Sequence, residues 1–224
     1  MCSYSIPGRV IKNGKAREIP ADGMFVPGNY HMLNVKALGG PLECFVNGDG
    51  DSLVTYFPAI AKSATTLGRF ICRWPGHAAF WEKMVKCGFN RTEPVNVNGV
   101  DIVPAAFCAT LLGSQQQFHY GADERDVAFI RADARGTKNG RPTRAVGQII
   151  DYRDLKTGYT AMQRTVGYPM SIGAQMIMNG RISKRGIVDP SEVPFEPFRT
   201  ELRRRRLEIT QTLGHWDGSI EPDR

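Results

Sequence analysis

An Asn-Gly pair between two β-prone runs leaves a chain little freedom. It must reverse within about two residues, in a turn that takes positive φ at both positions, which Asn and Gly tolerate. Residues 9–20 carry such a pair, Asn13-Gly14, between VIK and KAREI. In residues 42–57 an expected strand, LECFV, leads into Asn47-Gly48-Asp49-Gly50-Asp51, and a second expected strand leads out. Residues 126–132 and 144–152 are expected strands joined by a loop with Asn139-Gly140. Residues 64–74 are a further strand candidate.

Helical patterns fall between these clusters. Residues 76–88 place Phe80, Trp81, Met84 and Val85 on one face, with Gly88 positioned to end the helix. Residues 104–117 open on Pro104 and set Phe107 and Leu111 four apart. Residues 158–178 read as helix, break, helix. Gly167-Tyr168-Pro169 is the break, because proline cannot extend an uninterrupted ladder, and Asn179-Gly180 closes the second piece. An amphipathic helix is expected near 195–206, and residues 211–224 as a frayed tail. Hairpins in clusters with helices between them predict an α+β fold. Its sheet is mixed and largely antiparallel, with helices packed on it. One domain is expected over residues 1–210.

Composition narrows the function classes. Hydrophobic residues make up 42% and charged residues 23%, as in ordinary globular chains. No run of about 18 apolar residues could span a membrane. The first 15 residues lack the apolar core of a secretion signal. Five cysteines, an odd number without C-x-x-C spacing, argue against a disulfide framework. They fit reduced thiols and a cytoplasmic location. Four dispersed histidines predict no metal site. Lys and Arg number 29 against 22 Asp and Glu, a net +7. The densest basic run, Arg203–Arg206, is flanked by Glu201 and Glu208 and reads as the charged face of a helix. No nucleic-acid or membrane partner is expected. The excess charge suits an acidic small molecule or a phosphate-bearing cofactor.

A dinucleotide site needs a G-x-G-x-x-G turn after a strand and before a helix. Gly48-Asp49-Gly50 is the nearest approach, and its aspartates would repel phosphate. Neither a P-loop nor a G-x-S-x-G elbow is present.

Four segments in order nevertheless form a pattern. Ser3-Tyr4-Ser5-Ile6-Pro7-Gly8 resembles a Ser-Trp-Ser-Pro segment. Asn47-Gly48-Asp49-Gly50-Asp51-Ser52 resembles an Asn-Arg-Asp-Ser loop, with two extra residues and no arginine. Residues 65–76, TTLGRFICRWPG, are similar to an Arg-Gly-Thr-Leu-Arg-Tyr-x-Gly strand and turn. Residues 157–169, TGYTAMQRTVGYP, are the clearest match, followed by a helix, a glycine and an E-x-x-P loop. Together they resemble the carboxyl-terminal domain of the saccharopine dehydrogenase family, over roughly residues 3–210.

That resemblance implies the substrate-binding and dimerisation half of an oxidoreductase acting on the C–N bond of a lysine-derived amino acid. It implies NAD or NADP as hydride carrier, bound mainly by a Rossmann domain. The resemblance places that domain ahead of this point, or on a separate chain, and this half is expected to be inactive without it. A homodimer is the implied assembly. The other reading is a non-enzymatic small-molecule-binding or assembly domain with the same fold.

Amino-acid substrates offer carboxylates for arginine and amines for carboxylate or amide groups. Arg73 either reads a carboxylate or covers Trp74. Asn47, Asp51 and Ser52 either read an amine or build the turn. Ser5 is a candidate for the cleft wall. His77 is either an acid–base group or a local structural contact. Thr160, Arg164 and Tyr168 are expected near the cofactor, Arg164 alternatively as a cap on the kinked helix. The catalytic residue is unknown. An exposed apolar patch is expected near Tyr4, Tyr168 and Met170.

Overall fold

The computed structural model describes residues 4–56, 60 and 62–217. The chain divides into two compact units, with the boundary at His119/Tyr120.

The first unit begins with the hairpin that Asn13-Gly14 demands. Strands β1 (Gly8–Lys12) and β2 (Lys15–Ile19) pair antiparallel, with Asn13 at φ 53° and Gly14 at φ 72°. The other edge of β1 pairs with β5 (Thr66–Leu67). A second sheet has the order β3 (Tyr30–Val35), β4 (Gly40–Val46), β6 (Phe70–Arg73), all antiparallel. Strand β3 was not legible in the sequence: its residues, YHMLNV, show no clean alternation. Central strand β4 is buried from Leu42 to Val46, covered on both faces. The Arg9 amide donates to the Gly48 carbonyl at 2.9 Å, tying β1 to the loop after β4.

Helix α1 (His77–Lys86) buries Ala78, Trp81 and Val85 against Tyr4, Met24, Phe25 and Phe45. Tyr4 is thus a core residue, 5% exposed, and does not belong to an exposed patch as the sequence suggested. Its ring meets Phe25 and Trp81 edge-on at 5.0 and 5.1 Å, and the local sequence gave no sign of these partners. A further hairpin, β7 (Val95–Val97) and β8 (Val100–Ile102), turns on Asn98 at φ 52° and Gly99 at φ 86°. Helix α2 (Pro104–Gly113) starts at its proline and stops four residues before expected, giving way to a 3-10 turn at Gln116–Phe118. The second strand expected within 42–57 is not one. Gly50–Ser52 is a 3-10 turn and Leu53–Tyr56 a short helix, and Gly50 packs where no side chain fits. A Cβ there would sit 2.7 Å from the Arg69 nitrogen.

The second unit is built on a long hairpin. Strands β9 (Val127–Lys138) and β10 (Arg141–Tyr152) stay in register along their whole length and turn on Asn139-Gly140, both with positive φ. Strand β11 (Thr210–His215) adds to β10, so the expected tail opens inside a sheet. Helix α3 (Ala161–Met178) runs unbroken through Pro169. An interior proline costs about 3 kcal/mol or more. The opposing forces lie on both sides of it. Ala161, Thr165, Ile172 and Met176 form one buried stripe at helical spacing, and a capping box at Thr160 fixes the first turn. Ile172 and Met176 pack with Ile182, Leu202 and Leu207. Leu202 lies on helix α4 (Phe195–Arg204), the expected basic helix. Its arginines are engaged: Arg203 with Glu208 at 2.7 Å, Arg204 with Glu201 at 2.6 Å, and the following Arg205 also with Glu201, at 2.8 Å.

The fold is therefore α+β with antiparallel sheets. None of its described helices is long and apolar enough to cross a membrane.

Candidate functional site

The best-formed polar cluster of the first unit lies where β6 ends and α1 begins. Gly76, the N-cap of α1, adopts φ 96° and has no side chain with which to cap the helix. Glu43 on β4 supplies the cap. Its Oε1 accepts from the Gly76 amide at 2.9 Å and its Oε2 from the Ala78 amide at 2.7 Å. A carboxylate at a helix N-terminus satisfies orphan donors and favours the helix dipole. Glu43 is 7% exposed and stands directly across the sheet from Arg73. Sequence reasoning missed it. The available signal was one carboxylate inside an otherwise apolar strand, a residue that is buried only with partners.

His77 opens α1, and its Nε2 lies 2.9 Å from the Tyr4 hydroxyl. The aromatic rings of Tyr4, Phe25, Phe45 and Trp81 surround it. Burial, helped by the charge of Arg73 and opposed by Glu43, lowers its pKa to about 4. At neutral pH it is an uncharged imidazole. Arg73 is exposed, and its Nη1 donates to the Cys72 carbonyl at 2.8 Å, leaving the rest of the guanidinium fork facing solvent. Trp74 beside it is 52% exposed.

The 47–52 loop forms a second cluster in the same unit. Asn47 is held by its backbone, whose amide donates to the Arg69 carbonyl at 2.9 Å. Asp51 is buried and accepts from Arg9, with Nε at 3.0 Å and Nη2 on the same oxygen. That pairing raises the Arg9 pKa. Asp51 Oδ1 is buried and has no hydrogen-bond partner among the described residues. The Ser52 side chain and Ser3 lie outside the described residues. Ser5 donates to the Asn90 carbonyl, and Asn90 returns a bond to the Tyr4 carbonyl at 3.0 Å.

The three residues expected near a cofactor belong to the second unit. The Thr160 hydroxyl accepts from the Gln163 amide at 3.1 Å as the N-cap of α3. Asp126 reinforces that cap by accepting from the Ala161 amide at 2.8 Å. Arg164 is 6% exposed and its guanidinium forks onto Asp151, with Nε to Oδ2 at 2.8 Å and Nη2 to Oδ1 at 3.2 Å. Asp154 lies 3.6 Å from its Nη1, and its Cζ sits 5.4 Å from the centre of the Tyr168 ring. The hydrogen bond it donates to Asp151 raises the Arg164 pKa, against burial. Sequence reasoning offered a cap as the other role for Arg164. The structure gives it instead a buried tie between α3 and β10.

The glycines of the 47–52 loop do not fit a dinucleotide. The space beside Gly50 is filled by its own chain: a side-chain carbon there would meet the Arg9 carbonyl at 2.9 Å. Asp49 and Asp51 add negative charge. The Gly50 amide donates to the Gly48 carbonyl at 3.1 Å and the Asn47 amide to the Arg69 carbonyl, so neither is presented to a pyrophosphate.

The family model of the saccharopine dehydrogenase C-terminal domain matches residues 2–207. The chain belongs to that family. Among curated members and relatives, it is 26% identical over 135 residues to alpha-aminoadipic semialdehyde synthase of Arabidopsis thaliana. It is 28% identical over 107 residues to the NADP(+), L-glutamate-forming saccharopine dehydrogenase of Schizosaccharomyces pombe. The matches take in 58% and 47% of this chain but only 12% and 22% of those relatives. Apo saccharopine dehydrogenase (L-Glu forming) from Saccharomyces cerevisiae shares the fold, with a TM-score of 0.74 at 17% identity. That likeness covers 95% of this chain and 60% of the yeast chain. The saccharopine dehydrogenase C-terminal fold thus accounts for both units described above.

Proposed function

We propose that this chain is the substrate-binding half of an NAD(P)-dependent oxidoreductase acting on the C–N bond of a lysine-derived amino acid. Membership of the family over residues 2–207 carries the reading. The relatives' names, saccharopine dehydrogenase and alpha-aminoadipic semialdehyde synthase, support a substrate of that class.

The substrate-reading residues are Ser5, Asn47, Asp51, Ser52, Arg73 and His77. Arg73, with its fork open to solvent, takes a substrate carboxylate. Asp51, one of whose carboxylate oxygens has no hydrogen-bond partner among the described residues, supports recognition of an ammonium group. His77, uncharged at neutral pH, offers a hydrogen bond without repelling that ammonium. Thr160, Arg164 and Tyr168 act nearer the cofactor, Arg164 by holding α3 on β10 rather than by touching the ligand. The nicotinamide, when bound, carries the hydride. It is held mainly by a nucleotide-binding domain, on a longer polypeptide or on a separate chain. The chain alone is inactive, resides in the cytoplasm, and pairs as a homodimer. Met162, Val166 and Met170, all more than half exposed on α3, support burial against a partner.

Reversing the charge at Arg73 tests this reading. Calorimetric titration of the chain with L-saccharopine should give saturable binding. Arg73→Glu should weaken it at least tenfold with an unchanged circular dichroism spectrum. Equal binding by both proteins would remove Arg73 from the site and favour an assembly domain.

A further inference from the structure

We infer that Cys44 and Cys72 form a reversible dithiol–disulfide pair, independently of the function proposed above. The two residues stand directly opposite each other on the antiparallel strands β4 and β6. Their Sγ atoms lie 3.0 Å apart with no disulfide between them. A disulfide needs about 2 Å between sulfurs and a short Cβ separation, a geometry that facing residues on neighbouring strands approach by small side-chain rotations.

Their exposures differ in a way that orders the chemistry. Cys44 is 1% exposed, whereas Cys72 is only partly covered. An oxidant from solvent therefore meets Cys72 first. With hydrogen peroxide as oxidant, the Cys72 thiol is oxidised to a sulfenic acid while the peroxide O–O bond breaks and one water leaves. The Cys44 sulfur then attacks Cys72 Sγ, its thiol proton joins the departing hydroxyl, and a second water leaves. Two thiols lose two protons and two electrons in total, and one peroxide, taking them up, becomes two waters. A small dithiol reverses the step by exchange.

The position gives the bond a consequence. Cys44 follows Glu43, the cap of α1, and Cys72 precedes Arg73, whose Nη1 rests on the Cys72 carbonyl. The segment between the two cysteines contains the whole 47–52 loop. Oxidation would fasten both ends of that loop to one point in the sheet. The other described cysteines have no comparable neighbour: Cys87 is exposed at the end of α1, and Cys108 is buried on α2.

The test is peptide mapping of the full chain after mild hydrogen peroxide, alkylation of remaining thiols and tryptic digestion without reductant. The expected result is peptide 37–62 joined to peptide 70–73, two hydrogens lighter than the sum of the two. It should disappear after dithiothreitol and persist in Cys87→Ser. Cys72→Ser should lack it while keeping the circular dichroism spectrum of the parent. Overturning results are separately alkylated Cys44 and Cys72 after oxidation, Cys72 joined to any other cysteine, or Cys72 driven to sulfinic acid with Cys44 unchanged.

Discussion

Glu43 on β4 accepts the backbone amide of Ala78 at 2.7 Å, so a strand in the middle of a sheet caps a helix 35 residues later. The same carboxylate takes the Gly76 amide. Two charge-assisted bonds are at stake, each worth about 1.5–3 kcal/mol. Glu43→Ala should therefore destabilise the first unit by about 3 kcal/mol, and Glu43→Gln by less. Denaturant unfolding followed by Trp81 fluorescence checks this. An unchanged midpoint for both variants would mean that the cap is not used.

His77 makes stability depend on pH. Its folded pKa is about 4, below the ordinary value of 6.5, so the unfolded chain binds the extra proton first. Its contribution is complete above pH 6.5 and is lost as pH falls towards 4. The shift corresponds to at most about 3 kcal/mol, less to the extent that solvent screens the ring. His77→Gln should flatten the stability profile between pH 6.5 and 4. A parallel profile in the variant would place the titrating group elsewhere.

Asp133 acts in a lower window. Burial alone would raise its pKa, but hydrogen bonds from Arg144 and Arg135 outweigh it and hold the group at about 2. This depressed carboxyl contributes stability above its ordinary value of 3.8 and loses it as pH falls to 2. Asp133→Asn should reduce the acid sensitivity between pH 4 and 2 and leave the His77 window intact. Unfolding curves at several pH values separate the two.

The Arg164–Asp151 pair is buried on both sides, with side chains 7% and 10% exposed. Removing one member strands the other charge, which costs about 3–5 kcal/mol. Arg164→Met and Asp151→Asn should each loosen α3 from β10 by that order. The double variant should lose less than the sum. Hydrogen exchange along α3 reads the effect, and strict additivity would contradict a direct pair.

What could be read from the sequence followed local chemistry. Asn13-Gly14 and Asn139-Gly140 announced their turns because backbone sterics act within two residues. The starts of α1 and α2 were legible from Gly76 and Pro104 for the same reason. Pro169 misled because the stripe through Thr165, Ile172 and Met176 overrides a local preference, and that stripe gains its energy from α4 and the following loop. The Glu43 carboxylate and the Tyr4 hydroxyl find their hydrogen-bond partners more than 30 residues away, and no local pattern encodes them. Arg73 and His77 were found together because a short motif holds them, whereas the Arg9 that engages Asp51 lies 42 residues earlier.

The central claim is that the loop 47–52 and the 73–77 corner read an amino-acid substrate. The most direct measurement is amide NMR of the chain titrated with L-saccharopine. The account predicts saturable shifts concentrated at residues 43–52 and 72–78, with little change at 127–152. Absence of shifts, or shifts confined to the β9–β10 hairpin, would contradict it.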